Sequence, residues 1–131
     1  MFIGIDVAKD RLDVHVRPAG ESFVVARDGE GIEELAKRLK AVTPTLVVLE
    51  ATGGFETVVA AGLAAAGLPV AVINPRQIRD FARATARLAK TDTLDAAVIA
   101  HFAEAVNPPV RLLADPQQRL LGELMARRRQ L

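Results

Sequence analysis

The hydrophobic positions change period several times along the chain, and each change marks an element. Phe2-Ile3-Gly4-Ile5-Asp6-Val7 is a short, β-rich run, apolar on both faces apart from its aspartate, as expected of a central strand. Leu12, Val14 and Val16 then alternate with Asp13, His15 and Arg17, the period of two for a strand with one wet face. Pro18-Ala19-Gly20 supplies a turn, and Ser22 to Arg27 reads as a third strand closed by Asp28-Gly29. The first three strands therefore form an antiparallel meander. Between Gly31 and Ala41 the period lengthens, with Ile32, Leu35, Ala36 and Leu39 on one helical face and charged residues elsewhere.

Beyond Pro44, Thr45 to Glu50 is a continuous apolar run suited to a buried parallel strand. Thr52-Gly53-Gly54 opens an Ala/Val/Leu-rich helix to about Ala66, with Gly67 as its stop. Leu68 to Ile73 reads as a fifth strand, and Asn74-Pro75 starts a helix to about Arg87. A further helix runs from about Asp92 to Val106, where Asn107-Pro108-Pro109 breaks it. The pattern is a meander followed by two right-handed crossovers, which gives an α/β fold with a mixed sheet of order 3-2-1-4-5. A crevice opens between strands 1 and 4 in such a sheet. Asp6, late in strand 1, and Glu50, at the end of strand 4, fall beside it.

With 131 residues, half of them hydrophobic and a quarter charged, the chain fits one folded domain. The absence of cysteine excludes disulfides and thiolate zinc sites, and two histidines make a His-rich metal site improbable. No apolar run approaches the roughly 20 residues of a membrane span, and Met1 to Asp6 lacks the basic region of a signal peptide. The expectation is a soluble, cytoplasmic protein with no membrane partner. Net charge is +1, but it divides unevenly. Residues 1–75 carry seven Lys/Arg against ten Asp/Glu, and residues 76–131 carry ten against six, a mild pointer to a polyanionic partner for the second half.

After Asp115-Pro116, Leu120, Leu121, Leu124 and Met125 form a helical stripe, followed by Arg127-Arg128-Arg129 and an end at Leu131 without a capping signal. Residues 1–110 are accordingly expected to be the folded domain. Residues 111–131 are expected to begin a helical linker in a longer protein, with self-association through that helix.

Four carboxylates carry the candidate chemistry. Asp6 is anomalous, because aspartate is depleted in strands and a buried carboxylate is costly unless it is paired or binds a cation; alternatively it bonds to turn amides around Ala8-Lys9-Asp10. Glu50 reads either as a ligand at a strand end or as a glutamate favoured by the next helix N-terminus, with Thr52 as that helix's cap. Asp92 and Asp95, three apart, are expected on one face of a helix's first turn, as ligands or as cap and dipole partner. Together, four carboxylates supply the oxygen donors that hold two Mg²⁺ or Mn²⁺ ions around a phosphodiester. Arg76, Arg79, Arg83, Arg87 and Lys90 recur at spacings of 3, 4, 4 and 3. They form either a phosphate-tracking stripe or a solvated helix face. Phenylalanine alone, at 4% aromatics, leaves little material for base stacking. His15 and His101 read as structural, and the adjacent Gly53 and Gly54 are a weak phosphate-loop signal. No Walker-type loop is present.

Four motifs in order, Gly4-Ile5-Asp6-Val7-Ala8-Lys9, Leu49-Glu50-Ala51-Thr52-Gly53-Gly54, Val72-Ile73-Asn74-Pro75 and Lys90-Thr91-Asp92-Thr93-Leu94-Asp95-Ala96, resemble the DEDD transposases of bacterial insertion sequences, which include pilin-gene invertases. The resemblance implies a RuvC-like, ribonuclease H-like fold, with Asp6, Glu50, Asp92 and Asp95 as the catalytic, metal-holding tetrad. It further implies DNA strand cleavage and transfer, and guidance by a structured bridge RNA. A second domain bearing a catalytic serine would lie beyond Leu131. The basic stripe would then hold nucleic-acid backbone, an assignment made on physical grounds.

Two other classes stay open. A sugar-kinase or actin-like ATPase shares the strand topology and the strand-1 aspartate, but Val7-Ala8-Lys9-Asp10 replaces its Gly/Ser/Thr-rich phosphate loop. A non-catalytic nucleic-acid-binding or oligomerisation domain of the same fold would use the carboxylates only to cap and pair.

Overall fold

In the computed structural model, residues 1–85 and 94–110 are described. The meander consists of β1 (Phe2–Val7), β2 (Arg11–Arg17) and β3 (Glu21–Ala26). Asp6 pairs across from Asp13 and Val7 from Leu12 in the antiparallel β1–β2 ladder. Strand β4 (Leu46–Glu50) runs parallel to β1, with Ile5 opposite Leu49, and β5 (Val70–Ile73) runs parallel to β4. The sheet order is β3-β2-β1-β4-β5, as the hydrophobic pattern implies.

Alternation along the strands sorts the core into two layers. Ile3, Ile5, Leu12, Val14, Val47 and Leu49 face one side, where α1 (Gly29–Val42) and α2 (Phe55–Ala65) cover them. Val48, Ala71 and Ile73 face the other, under α3 (Pro75–Ala84) and α4 (Ala96–Val106). Each fully buried aliphatic side chain contributes about 1.5–3 kcal/mol, so the sheet is stabilised from both faces. The same parity places Asp6, Asp13 and Glu50 together on the α3/α4 face.

The helix ends follow capping chemistry. Asp28 caps α1 by accepting from the Gly31 amide at 2.7 Å, and Asn74 caps α3 by accepting from the Arg76 amide at 2.9 Å, with Pro75 in the first turn. Asn107 ends α4 in the left-handed conformation, φ 47°.

Three helix boundaries differ from the sequence expectation by three residues or more, and the first is the end of α3, which stops at Ala84 with Thr85 as its C-cap instead of running to Arg87. Helix α2 starts at Phe55 with Gly54 as its N-cap, so Thr52 does not cap it. Helix α4 starts at Ala96, and Asp95 is its N-cap, accepting from the Val98 amide at 2.9 Å. Asp95 therefore stands at the threshold of the helix instead of inside its first turn, and Asp92, expected beside it, lies outside the described residues. A carboxylate three residues before a free amide competes well as a cap, and it shortens the helix to the residues after it.

Gly4 decides how α4 sits. Any Cβ at this position would overlap the backbone of Ala96 and Ala100, so the helix rests directly on β1. Arg17 of β2 fastens its far end through a 3.1 Å ion pair with Glu104. The substitution Gly4→Ala should lift α4 from the sheet and cost about 3 kcal/mol or more, because the clash is with backbone that cannot rotate away. Urea denaturation of the purified variant measures it, and a loss below about 1 kcal/mol would contradict this account of the packing.

Candidate active site

The parallel strands β1 and β4 end side by side, and the chain leaves each of them for a loop. Asp6 is one residue beyond Ile5, the last β1 position paired with β4, and Glu50 is one beyond its partner Leu49. The two carboxylates thus neighbour each other on the α3/α4 face, with Asp13 beyond Asp6 on β2. Asp95 approaches from above, brought by the α4 N-terminus that Gly4 admits. A cleft of about 400 Å³ is lined by Asp6, Asp13 and Asp95, with Ser22 and Val24 of β3 along its outer wall.

Charge in this cluster is poorly compensated. Burial, then the charges of Asp13 and Asp95, raise the Asp6 carboxyl above its ordinary 3.8, against a pull from Arg11. Glu50 is pushed from 4.5 to about 7 by burial first and then by Asp6, with Arg79 of α3 pulling it down. Asp13 has a cation of its own, Arg11, at 3.4 Å. Among the described members of the basic stripe, Arg79 is the one whose charge reaches Glu50. Arg76 is exposed, and Arg83 is exposed beside Asp80 at 3.9 Å. Asp92, Arg87 and Lys90, together with the tail from 111 to 131, lie outside the described residues.

The donor set is all oxygen, which suits a hard divalent cation. Like charges that raise one another are also relieved by a cation. Among the described residues, however, no group of three or more such side chains is gathered closely enough to hold a metal ion. Of the four expected ligands, Asp6 feels the charge of Asp95 and Glu50 feels that of Asp6, and the three do not form a finished cage.

A transposase family pattern matches residues 3–131 of this chain. The chain belongs to the DEDD transposase family. Two curated relatives, the pilin gene-inverting proteins of Moraxella lacunata and Moraxella bovis, are each 29% identical to this chain over 115 residues. Those 115 residues are 83% of the chain and 36% of each relative, so the chain spans about a third of their length. Among solved structures, Thermus thermophilus RuvC in complex with a Holliday junction substrate superposes with a TM-score of 0.55 at 18% identity, covering 86% of this chain and all of that one. A second Thermus thermophilus RuvC structure gives 0.54 at 16%, covering 84% and 98%. The fold is therefore RuvC-like, within the ribonuclease H-like class. Among the described residues, no helix is long and apolar enough to cross a membrane.

Sequence reasoning missed Glu56, the one buried charged residue among those described. Its Oε2 accepts from the Thr52 amide at 2.9 Å, the Thr52 hydroxyl at 3.1 Å and the Gly54 amide at 3.1 Å. Burial works to raise its carboxyl, but bonds from the Thr52 amide, its own amide, the Gly54 amide and the Thr52 hydroxyl outweigh it and hold it below 4.5. The Thr52 and Gly54 amides of this turn are thus engaged by the chain's own carboxylate. They are not a ready phosphate loop. The signal was present as a threonine followed four residues later by glutamate, close to the capping-box spacing of three.

Replacing Glu56 by Ala should cost about 2 kcal/mol, since it removes the charged acceptor of three hydrogen bonds that tie the turn to α2. Thermal denaturation reads this, and an unshifted midpoint would refute the clasp. Glu50 works in the opposite sense. Its folded value is above its ordinary one, so the folded state binds the extra proton, and the associated stability is complete below about 4.5 and lost as pH rises through about 7. Asp6 adds to the same trend. The chain should melt higher near pH 5 than near pH 8, by an amount worth about 1–2 kcal/mol once solvent screening is allowed for. Glu50→Gln should flatten that dependence and raise the melting point at pH 8. An identical pH profile for wild type and variant would contradict the assignment.

Proposed function

We propose that this chain is the N-terminal catalytic domain of a DNA transposase or site-specific recombinase that performs metal-dependent phosphodiester cleavage and strand transfer. The observation that carries the reading is the placement of Asp6 and Glu50 on adjacent strand ends, with Asp95 delivered above them by α4 and Arg79 alongside. Family membership supports the reaction class. The Moraxella relatives are named for inverting a gene, and one RuvC neighbour is held with a Holliday junction substrate.

In this reading Asp6, Glu50, Asp92 and Asp95 hold two Mg²⁺ or Mn²⁺ ions, Asp92 completing the set from outside the described residues. Divalent ions bound there supply Lewis-acid polarisation of a phosphodiester and stabilisation of its leaving oxygen. The chain's own residues do the rest. Glu50 gives up its proton when it becomes a ligand, and Arg79 offsets phosphate charge beside it. Arg76 and Arg83, with Arg87 and Lys90 from outside the described residues, are assigned to the nucleic-acid backbone. A structured guide RNA and a helical linker over 111–131 belong to the same proposal on the family resemblance, and self-association through that helix on the apolar stripe of Leu120, Leu121, Leu124 and Met125.

The deciding experiment follows DNA binding to a branched duplex by fluorescence anisotropy, with and without Mn²⁺, for wild type, Asp6→Asn, Asp13→Asn and Arg79→Ala. Mn²⁺ should tighten binding by the wild type and by Asp13→Asn, and not by Asp6→Asn. Arg79→Ala should bind more weakly and lose about one unit of salt slope. Metal-independent binding that is the same in Asp6→Asn would instead make the domain a non-catalytic nucleic-acid module whose carboxylates cap and pair.

A further inference from the structure

We propose that Ser22, its hydroxyl set by His15, holds a backbone phosphate of the DNA strand close to the phosphodiester at Asp6. This inference rests on the reading of that site under Proposed function, and deepens it by giving the strand a way out, across β2 and β3. The registers place the residues. Asp6 lies across from Asp13 and Asp13 from Val24, while Gly4 lies across from His15 and His15 from Ser22. Because side chains on one face recur every second residue, Asp6, Asp13, His15, Ser22 and Val24 all stand on the α4 side of the sheet. Ser22 and Val24 line the same cleft of about 400 Å³ as Asp6, Asp13 and Asp95.

This wing of the sheet is open. Helix α4 packs over β1, β2 and β4, and Val24, on the edge strand β3, keeps 55% of its surface accessible. The cleft therefore leads from the carboxylates outward, with Ala96 and Ala97 of α4 on one side and the β3 residues on the other. Neighbouring strands lie about 4.8 Å apart, and residues two apart on a strand about 6.7 Å. Two strands across and two residues along, Ser22 is about 12 Å from Asp6, or about two nucleotides of an extended strand.

The pair is suited to donate. His15 Nδ1 and Ser22 Oγ lie 2.6 Å apart. With the ring nitrogen donating to Oγ, the serine O–H is left to point toward an outside acceptor. A phosphodiester oxygen, charged and acceptor-only, is the partner that such a donor serves best. Local charge permits its approach. On this face β2 carries Arg11, Asp13, His15 and Arg17, with Arg11 at 3.4 Å from Asp13 and Arg17 at 3.1 Å from Glu104. The wing thus lacks the poorly compensated negative charge of Asp6 and Glu50, and Val24 and Ala97 offer apolar sides to the sugar. A cross-strand bond on a wet face adds little to stability, so its loss should leave the fold intact.

The test uses the 131-residue chain with Mn²⁺ and a branched DNA duplex, alongside a series in which one phosphate at a time becomes an uncharged methylphosphonate. Ser22→Ala and His15→Ala should each bind the unmodified duplex roughly 5- to 20-fold more weakly with unchanged melting temperatures. The double variant should lose no more than Ser22→Ala alone, because His15 acts through Ser22. Ser22→Thr and His15→Asn, which keep a hydroxyl and a side-chain N–H, should bind as the wild type does. One methylphosphonate should weaken the wild type and leave Ser22→Ala unaffected, and it should lie within a few positions of the one that abolishes the Mn²⁺ effect. Wild-type affinity in Ser22→Ala, additive losses in the double variant, or equal sensitivity of wild type and Ser22→Ala to every methylphosphonate would overturn the proposal. So would a dependence on Ser22 that appears only with the RNA form of the duplex. If Mn²⁺ still tightens binding through Asp6 while Ser22→Ala matches the wild type, only this inference falls; if wild-type binding ignores both Mn²⁺ and Asp6→Asn, the functional reading falls and takes this one with it.

Discussion

The direct contact between the backbone of α4 and β1 at Gly4 is the constraint on which the rest of the arrangement depends. Because no Cβ intervenes, the helix can lie flat on the central strand, closing the second face of the sheet over Val48, Ala71 and Ile73. The same approach carries Asp95 to the end of β1, where its charge raises Asp6. One missing methyl group thus links core packing to the electrostatics of the site.

That site is assembled against its own repulsion. Asp6, Asp13 and Glu50 share a face because strands β2, β1 and β4 are neighbours and their registers align. The cost is tolerable because the cluster sits at the sheet's end, where water reaches it, and because Arg11 and Arg79 offset part of the field. A polar cluster that raises its own protonation threshold is held in place by the fold, and functional sites are where such arrangements concentrate. Glu50 and Glu56 show how local this is. They are six residues apart, yet one carboxyl is raised by burial and a like charge while the other is lowered by donated hydrogen bonds.

Much of this was legible from the pattern of side chains. The alternation in Leu12, Val14 and Val16, the apolar runs at β4 and β5, and the caps at Asp28 and Asn74 each carry a local signal, and together they imply the strand order. The placement of Asp6 and Glu50 at adjacent strand ends follows from that order alone. The N-terminus of α4 was misplaced because Asp92 and Asp95 are both competent caps three residues apart, and propensity cannot rank them. Thr52 was misjudged as a cap for a related reason. Its hydroxyl and amide were claimed by Glu56, a partner inside the next helix.

The sequence by itself determined the periodicities, the turn chemistry and the inventory of carboxylates, because these are set by backbone sterics and by the transfer of side chains out of water within a few neighbours. Only the tertiary structure decided which charges meet. Coulombic coupling of Asp6 to Asp95, the reach of Arg79 to Glu50, and the contact of Phe55 with Arg27 all join residues distant in the chain. Their separation depends on how elements pack, and no local pattern encodes a distance across the fold.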